Sequence, residues 1–126
     1  MKRHPSLLAL SRDHHAALVI GKRIADCPEN AAQLATLCET LLQRFISELV
    51  PHFEDEERRI LPRLAGCHDA LWQRTLSEHA NLRALVARIA DSDYAALRDF
   101  GIALIAHVRF EERELFPQYE SLIQQD

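Results

Sequence analysis

Apolar residues recur every three or four positions along almost the whole chain, and only three glycines and five prolines interrupt them. That spacing is the repeat of one face of an α-helix, and no stretch alternates apolar and polar residues as a half-buried strand would. Such a chain can bury a core only by packing long helices side by side. A first helix is expected from near Ser6 to about Ala25, with Leu7, Leu10, His14, Leu18, Gly21 and Ala25 inward. Asp26-Cys27-Pro28 stops it, because the residue before a proline avoids helical geometry. Asn30 can cap a second helix that continues to about Leu61, before Pro62 and Gly66. Its inner face reads Leu34, Cys38, Leu41, Phe45, Leu49, His52, Glu56 and Ile60.

Pro51 is the local misfit in that helix, since an internal proline removes one backbone hydrogen bond and crowds the preceding turn, at about 3 kcal/mol. A kink or bulge just before His52 is expected. The third helix runs from about Asp69 to Ala90 with Trp72, Leu76, His79, Leu82, Val86 and Ile89 inward. Ser92 or Asp93 caps the fourth, roughly Tyr94 to Tyr119, which lines up Leu97, Phe100, Leu104, His107, Glu111 and Leu115. Short connections between long amphipathic helices favour antiparallel neighbours, so the expected fold is all-α, a single up-down-up-down four-helix bundle over residues 1–126.

Composition closes off several functional classes. No apolar run approaches the length that crosses a bilayer, and the short stretch after the basic start is too brief for a signal-peptide core. A net charge of -4 with scattered arginines offers no basic stripe for a nucleic-acid backbone. Three cysteines, Cys27, Cys38 and Cys67, show no zinc-ribbon spacing and read as reduced, buried small hydrophobes, so a cytoplasmic setting is expected.

Histidine and glutamate stand where the pattern calls for apolar residues. His52 and Glu56 are four apart, as are His107 and Glu111, which places each pair on one helix face about 6 Å apart along the axis. The two stretches are copies: His52-Phe-Glu-Asp-Glu56-Glu57-Arg58-Arg-Ile-Leu-Pro62 matches His107-Val-Arg-Phe-Glu111-Glu112-Arg113-Glu-Leu-Phe-Pro117. Each is preceded by a helix with an inward histidine, His14 and His79, so the chain reads as two αα-hairpins. Packed antiparallel, they bring four histidines and two carboxylates to the bundle centre, too many ligands for one tetrahedral zinc. Two metals bridged by Glu56 and Glu111, each with two terminal histidines, would keep a position open for a small molecule. On the first helix His14 competes with His15, and on the fourth Glu111 competes with Glu112; periodicity favours His14 and Glu111.

The arrangement resembles the hemerythrin-like, or HHE cation-binding, family of non-haem di-iron bundles. The resemblance rests on His14 within Ser-Arg-Asp-His-His, the two HxxxEE…P segments, and His79 within Ser-Glu-His-Ala-Asn-Leu, and it covers nearly the whole chain. It implies two iron ions with a bridging oxo or hydroxo group, zinc or another divalent metal being the alternative. It also implies a small diatomic or peroxide ligand, with roles in oxygen binding, oxygen or nitric oxide sensing, or iron handling. The metal ligands it implies are His14, His52, Glu56, His79, His107 and Glu111. Oxygen carriers of the family have a second histidine one turn after the third-helix histidine, where this chain has Arg83, and a last acidic ligand five after its histidine, which would be Glu112. Both departures point away from a stable oxygen carrier and towards sensing or redox reactivity. Ligand binding is thus favoured over dedicated enzyme chemistry of ferroxidase, peroxidase or nitric oxide reductase type. A bundle holding no metal, acting through partner contacts, is the remaining alternative.

Overall fold

A computed structural model describes residues 3–26, 31–91, 93 and 95–124, and among these there are helices and no strands. After a short 3-10 turn at Pro5–Leu7 come four long helices: α1 (Leu8–Ala25), α2 (31–64), α3 (Asp69–Ala90) and α4 (95–124). They form an antiparallel bundle in which α4 packs along both α1 and α3. Cys27, Pro28, Asn30, Ser92 and Tyr94, invoked above as stops, caps and a helix start, lie outside the described residues, as does the side chain of Leu34.

The α2 helix extends past Pro62, expected to end it, to Leu64, and α4 runs through Pro117 and beyond the expected end at Tyr119 to Gln124. The reason is a π-helical turn ahead of each proline. Phe45–Leu49 precedes Pro51, Glu56–Ile60 precedes Pro62, and Glu111–Leu115 precedes Pro117. A π turn carries one residue more than an α turn, so the ring's steric conflict and its missing N–H are absorbed without ending the helix. The bulge expected before His52 is the first of these.

The same turns hold the inner face in register. Along a regular helix each step of four residues drifts by about 40°, and three steps would carry a side chain out of the core. One extra residue cancels that drift. His52, Glu56, Ile60 and Leu64 accordingly stay buried on α2, and His107, Glu111, Leu115 and Tyr119 stay buried on α4. The internal repeat read from the sequence therefore extends to the backbone.

Two apolar clusters flank the polar layer. The larger gathers Leu41, Phe45, Phe53, Leu82, Ile89, Leu97, Phe100 and Leu104; the smaller gathers Leu7, Leu10, Ile60, Leu64, Leu115 and Phe116. Each such side chain, fully buried, contributes about 1.5–3 kcal/mol. On α1 the buried line runs Leu10, His14, Ala17, Gly21, Ile24, while Leu18 and Ala25, expected inward, are only half-buried. A close α1–α4 approach turns the seam that way: a Cβ on Gly101 would sit 3.0 Å from the Gly21 carbonyl and 2.9 Å from Ile24. Trp72 and Leu76 are likewise half-buried, since they lie in the first turns of α3 against the smaller cluster. Gly66, with φ of 87°, turns the chain out of α2 and donates its N–H to Asp69 at 2.7 Å. Cys38 is in the core, but Cys67 is exposed because it falls in this turn rather than on a helix face.

Candidate metal centre

Each of the four helices delivers one histidine to a layer between the apolar clusters, and α2 and α4 each add a glutamate one turn further on. His14, His52, His79 and His107 are buried, and Glu56 and Glu111 have no exposed surface. Of the competing candidates, His15 is exposed on the outer face of α1 and Glu112 is half-buried beside the layer. All six residues named from the spacing meet at one place.

The imidazoles turn their Nε2 atoms to the centre. His14 Nε2 lies 2.8 Å from Glu111 Oε1 and 3.1 Å from His52 Nε2, and His52 Nε2 lies 3.1 Å from Glu56 Oε1. On the other side, His107 Nε2 is 3.2 Å from Glu111 Oε1, and His79 Nε2 is 3.3 Å from Glu56 Oε1. Two groups of four result, His14, His52, Glu56 and Glu111, and Glu56, His79, His107 and Glu111, each with ligand atoms within 4.8 Å of one another. Both glutamates belong to both groups.

The Nδ1 atoms face outward, and each meets a carboxylate. His52 Nδ1 is 3.0 Å from Asp13, and His107 Nδ1 is 2.7 Å from Glu78. His79 Nδ1 is 3.5 Å from Glu57, and His14 Nδ1 is 3.7 Å from Glu112. The pairing follows the internal two-fold relation. The acid just before one helix's histidine serves the next helix's histidine, and the acid just after each buried glutamate serves the remaining two. Asp13 and Glu78 were not singled out by sequence reasoning. Their signal was present, an acid immediately preceding His14 and His79, but residues one apart on a helix point about 100° apart and so do not share a partner.

Seven buried side-chain atoms among the described residues lack a hydrogen-bond partner, and all seven belong to this layer: Nδ1 of His14, both oxygens of Glu56, both nitrogens of His79, Nε2 of His107 and Oε2 of Glu111. Leaving a buried donor or acceptor unpaired costs about 1–3 kcal/mol each, and few folds carry so many in one spot. Imidazole nitrogens and carboxylate oxygens converging in a buried pocket are the donor set of a transition-metal cation, so the residues present fit such a group. The family comparison agrees: the hemerythrin HHE cation-binding domain matches residues 7–119. The chain belongs to the hemerythrin HHE family. Comparison with curated proteins and with solved structures gives no significant match.

Protonation in this HHE domain shows how strongly the pocket is held by charge. Burial alone would strip the proton from His52, yet Glu111 and Glu56 lift it to about 11. His107 rises to about 10 against the same burial, through Glu111, Glu78 and Glu56. His14 and His79 are also raised by their carboxylate neighbours despite burial. Glu56 is pushed up by burial and by the charge of Glu111, whereas Glu111 overcomes its burial through the neighbouring His107 and His14 imidazoles and stays well below the usual carboxylate range. Without a metal, protons hold the charges together; a cation would take their place.

Arg83, standing where a carrier of this family has histidine, does not enter the layer. Its guanidinium binds Glu57 with two bonds of 3.1 Å and lies 5.5 Å from the centroid of Phe53, whose ring stacks on His79 at 4.1 Å. Phe116 stacks on His14 at 5.0 Å. These rings wall the pocket with apolar surface. Among the described residues no helix is long and apolar enough to cross a membrane.

Proposed function

We propose that the chain is a non-haem di-iron protein of the hemerythrin type that binds O2, NO or peroxide, as a sensor, scavenger or small iron store. His14 and His52 would hold one ion and His79 and His107 the other, with Glu56 and Glu111 available to both. The observation that carries this reading is the sharing of both buried glutamates between two four-residue groups, with oxygens of both glutamates and Nε2 of His79 and His107 left without partners. When bound, the iron pair supplies a redox-active centre with a coordination position open to a small ligand.

The chain's own residues do the rest. Asp13 and Glu78 fix the tautomer of His52 and His107, keeping each Nε2 lone pair directed at the centre, and raise the basicity of those rings. Phe53 and Phe116 stack on His79 and His14 and keep the surroundings apolar. A histidine-rich donor set with two carboxylates favours binding of diatomic ligands over the oxygen activation associated with carboxylate-rich sites. Anaerobic loading with iron(II), metal analysis per chain, and absorption spectra before and after exposure to air or NO test the proposal. About two irons per chain and a ligand-dependent absorption change are expected; fewer than about one iron, or no spectral change, overturns it.

A further inference from the structure

The two halves of the centre match in their inner residues and differ in what surrounds them. Around His79 and His107, both outer carboxylates are tied to arginines. Glu57 is held by both nitrogens of Arg83, and Glu78 accepts from Arg74 Nε at 2.7 Å, Arg74 being shared with exposed Glu114 at 3.3 Å. Around His14 and His52 a single guanidinium serves, that of Arg3, 2.6 Å from Glu120 and 3.7 Å from Glu112. Glu112 otherwise accepts from the neutral Ser11 hydroxyl at 3.0 and 3.2 Å. Asp13 meets His52 with no arginine on it among the described residues. One half thus sets one guanidinium against three carboxylates, the other two against three.

Outer charge of this kind acts on a metal through its ligands. A carboxylate beside Nδ1, hydrogen-bonded as Asp13 is to His52 or in charge contact as Glu57 is with His79 at 3.5 Å, makes the imidazole a stronger donor, and one already neutralised by a bidentate guanidinium does so less. The more negative surroundings also attract a divalent cation more strongly. We propose, resting on the di-metal reading above, that the two positions fill in order, His14–His52 first and His79–His107 second, and that Arg83 acting through Glu57 weakens the second. Arg83 is a positioning residue in this scheme, and it replaces a potential ligand with a device that keeps one metal loosely held.

The test is anaerobic titration of the metal-free protein with cobalt(II), followed by visible absorption and by competition with a chelator, in the wild type and in D13N, R83Q and R83K. The wild type should bind two ions in two steps separated by about tenfold or more in affinity, and D13N should weaken the first step by about tenfold. R83Q, which frees the Glu57 charge, should tighten the second step and narrow the gap, whereas R83K, which keeps the charge, should leave the second step weak. An arginine that only braced the fold would give the reverse, a second step weakened by R83Q. That result, equal steps in the wild type, or R83K behaving as R83Q overturns the inference while leaving two bound ions intact. Fewer than two ions in every protein overturns the di-metal reading and the inference with it.

Discussion

Nδ1 of His107 donates to Oε1 of Glu78 at 2.7 Å, across the contact between α4 and α3. Glu78 sits immediately before His79, so one short segment of α3 supplies an inner residue to the centre and an outer support to a neighbouring helix. Glu78→Gln keeps an acceptor of the same shape but removes the charge that makes the ring a strong donor. Metal affinity should fall by about tenfold at most with the fold unchanged, since Arg74 already offsets part of the Glu78 charge. Chelator competition measures it, and an affinity equal to wild type would count against the outer carboxylates having any role.

Glu111 and Glu112 are separated by one position and by their surroundings: the first is wholly buried among four imidazoles, the second half-buried against Ser11. Glu111→Gln should leave fewer than one metal per chain after loading and gel filtration. Glu112→Gln should retain two, bound somewhat less tightly. Equal losses in the two variants would remove Glu111 from its bridging place.

Gly101 lies where α1 and α4 nearly touch. A methyl there meets the carbonyl of Gly21 at 3.0 Å, and backbone cannot step aside, whereas the nearest atom to a methyl on Gly21 is the movable Cγ1 of Ile105 at 2.9 Å. Alanine gains about 1 kcal/mol in helix propensity, but forcing the helices apart costs about 1–3 kcal/mol. Gly101→Ala should therefore lower the midpoint of urea unfolding, and more than Gly21→Ala does. A rise in stability for Gly101→Ala would falsify the close approach.

Metal should stabilise the bundle as a whole, because every helix contributes to the layer. At a free metal concentration about 100 times the dissociation constant, linkage adds about 2.7 kcal/mol, a rise in Tm on the order of 10 °C for a chain of this size. Thermal melts with and without cobalt(II) measure the shift, with the His79→Ala variant as a comparison in which it shrinks. An unchanged Tm in the wild type would mean that the layer closes no tighter around a cation than without one.

Much of this was legible along the chain because helices are periodic. His52, Glu56, His107 and Glu111 fall on lines of apolar residues, and a side chain's place on such a line decides whether it points to the core. His14 is separated from His15 by the same logic. Only Pro62 misled about a helix end, since whether a proline stops a helix or rides on a π turn depends on the packing beyond it, here that of Leu64. Asp13, Glu78 and the Arg83–Glu57 bond escaped notice because each acts between helices, where spacing within one helix carries no information.

Spacing along single helices was enough for the all-helical fold, the internal repeat and the six inward polar residues, because a helix face is set by local geometry at 3.6 residues per turn. Packing alone decided which acid supports which histidine, which half of the centre is ringed by arginines, and how closely α1 approaches α4. Those are relations across helices, made only when the bundle closes and distances between residues far apart in the chain fall to hydrogen-bond length.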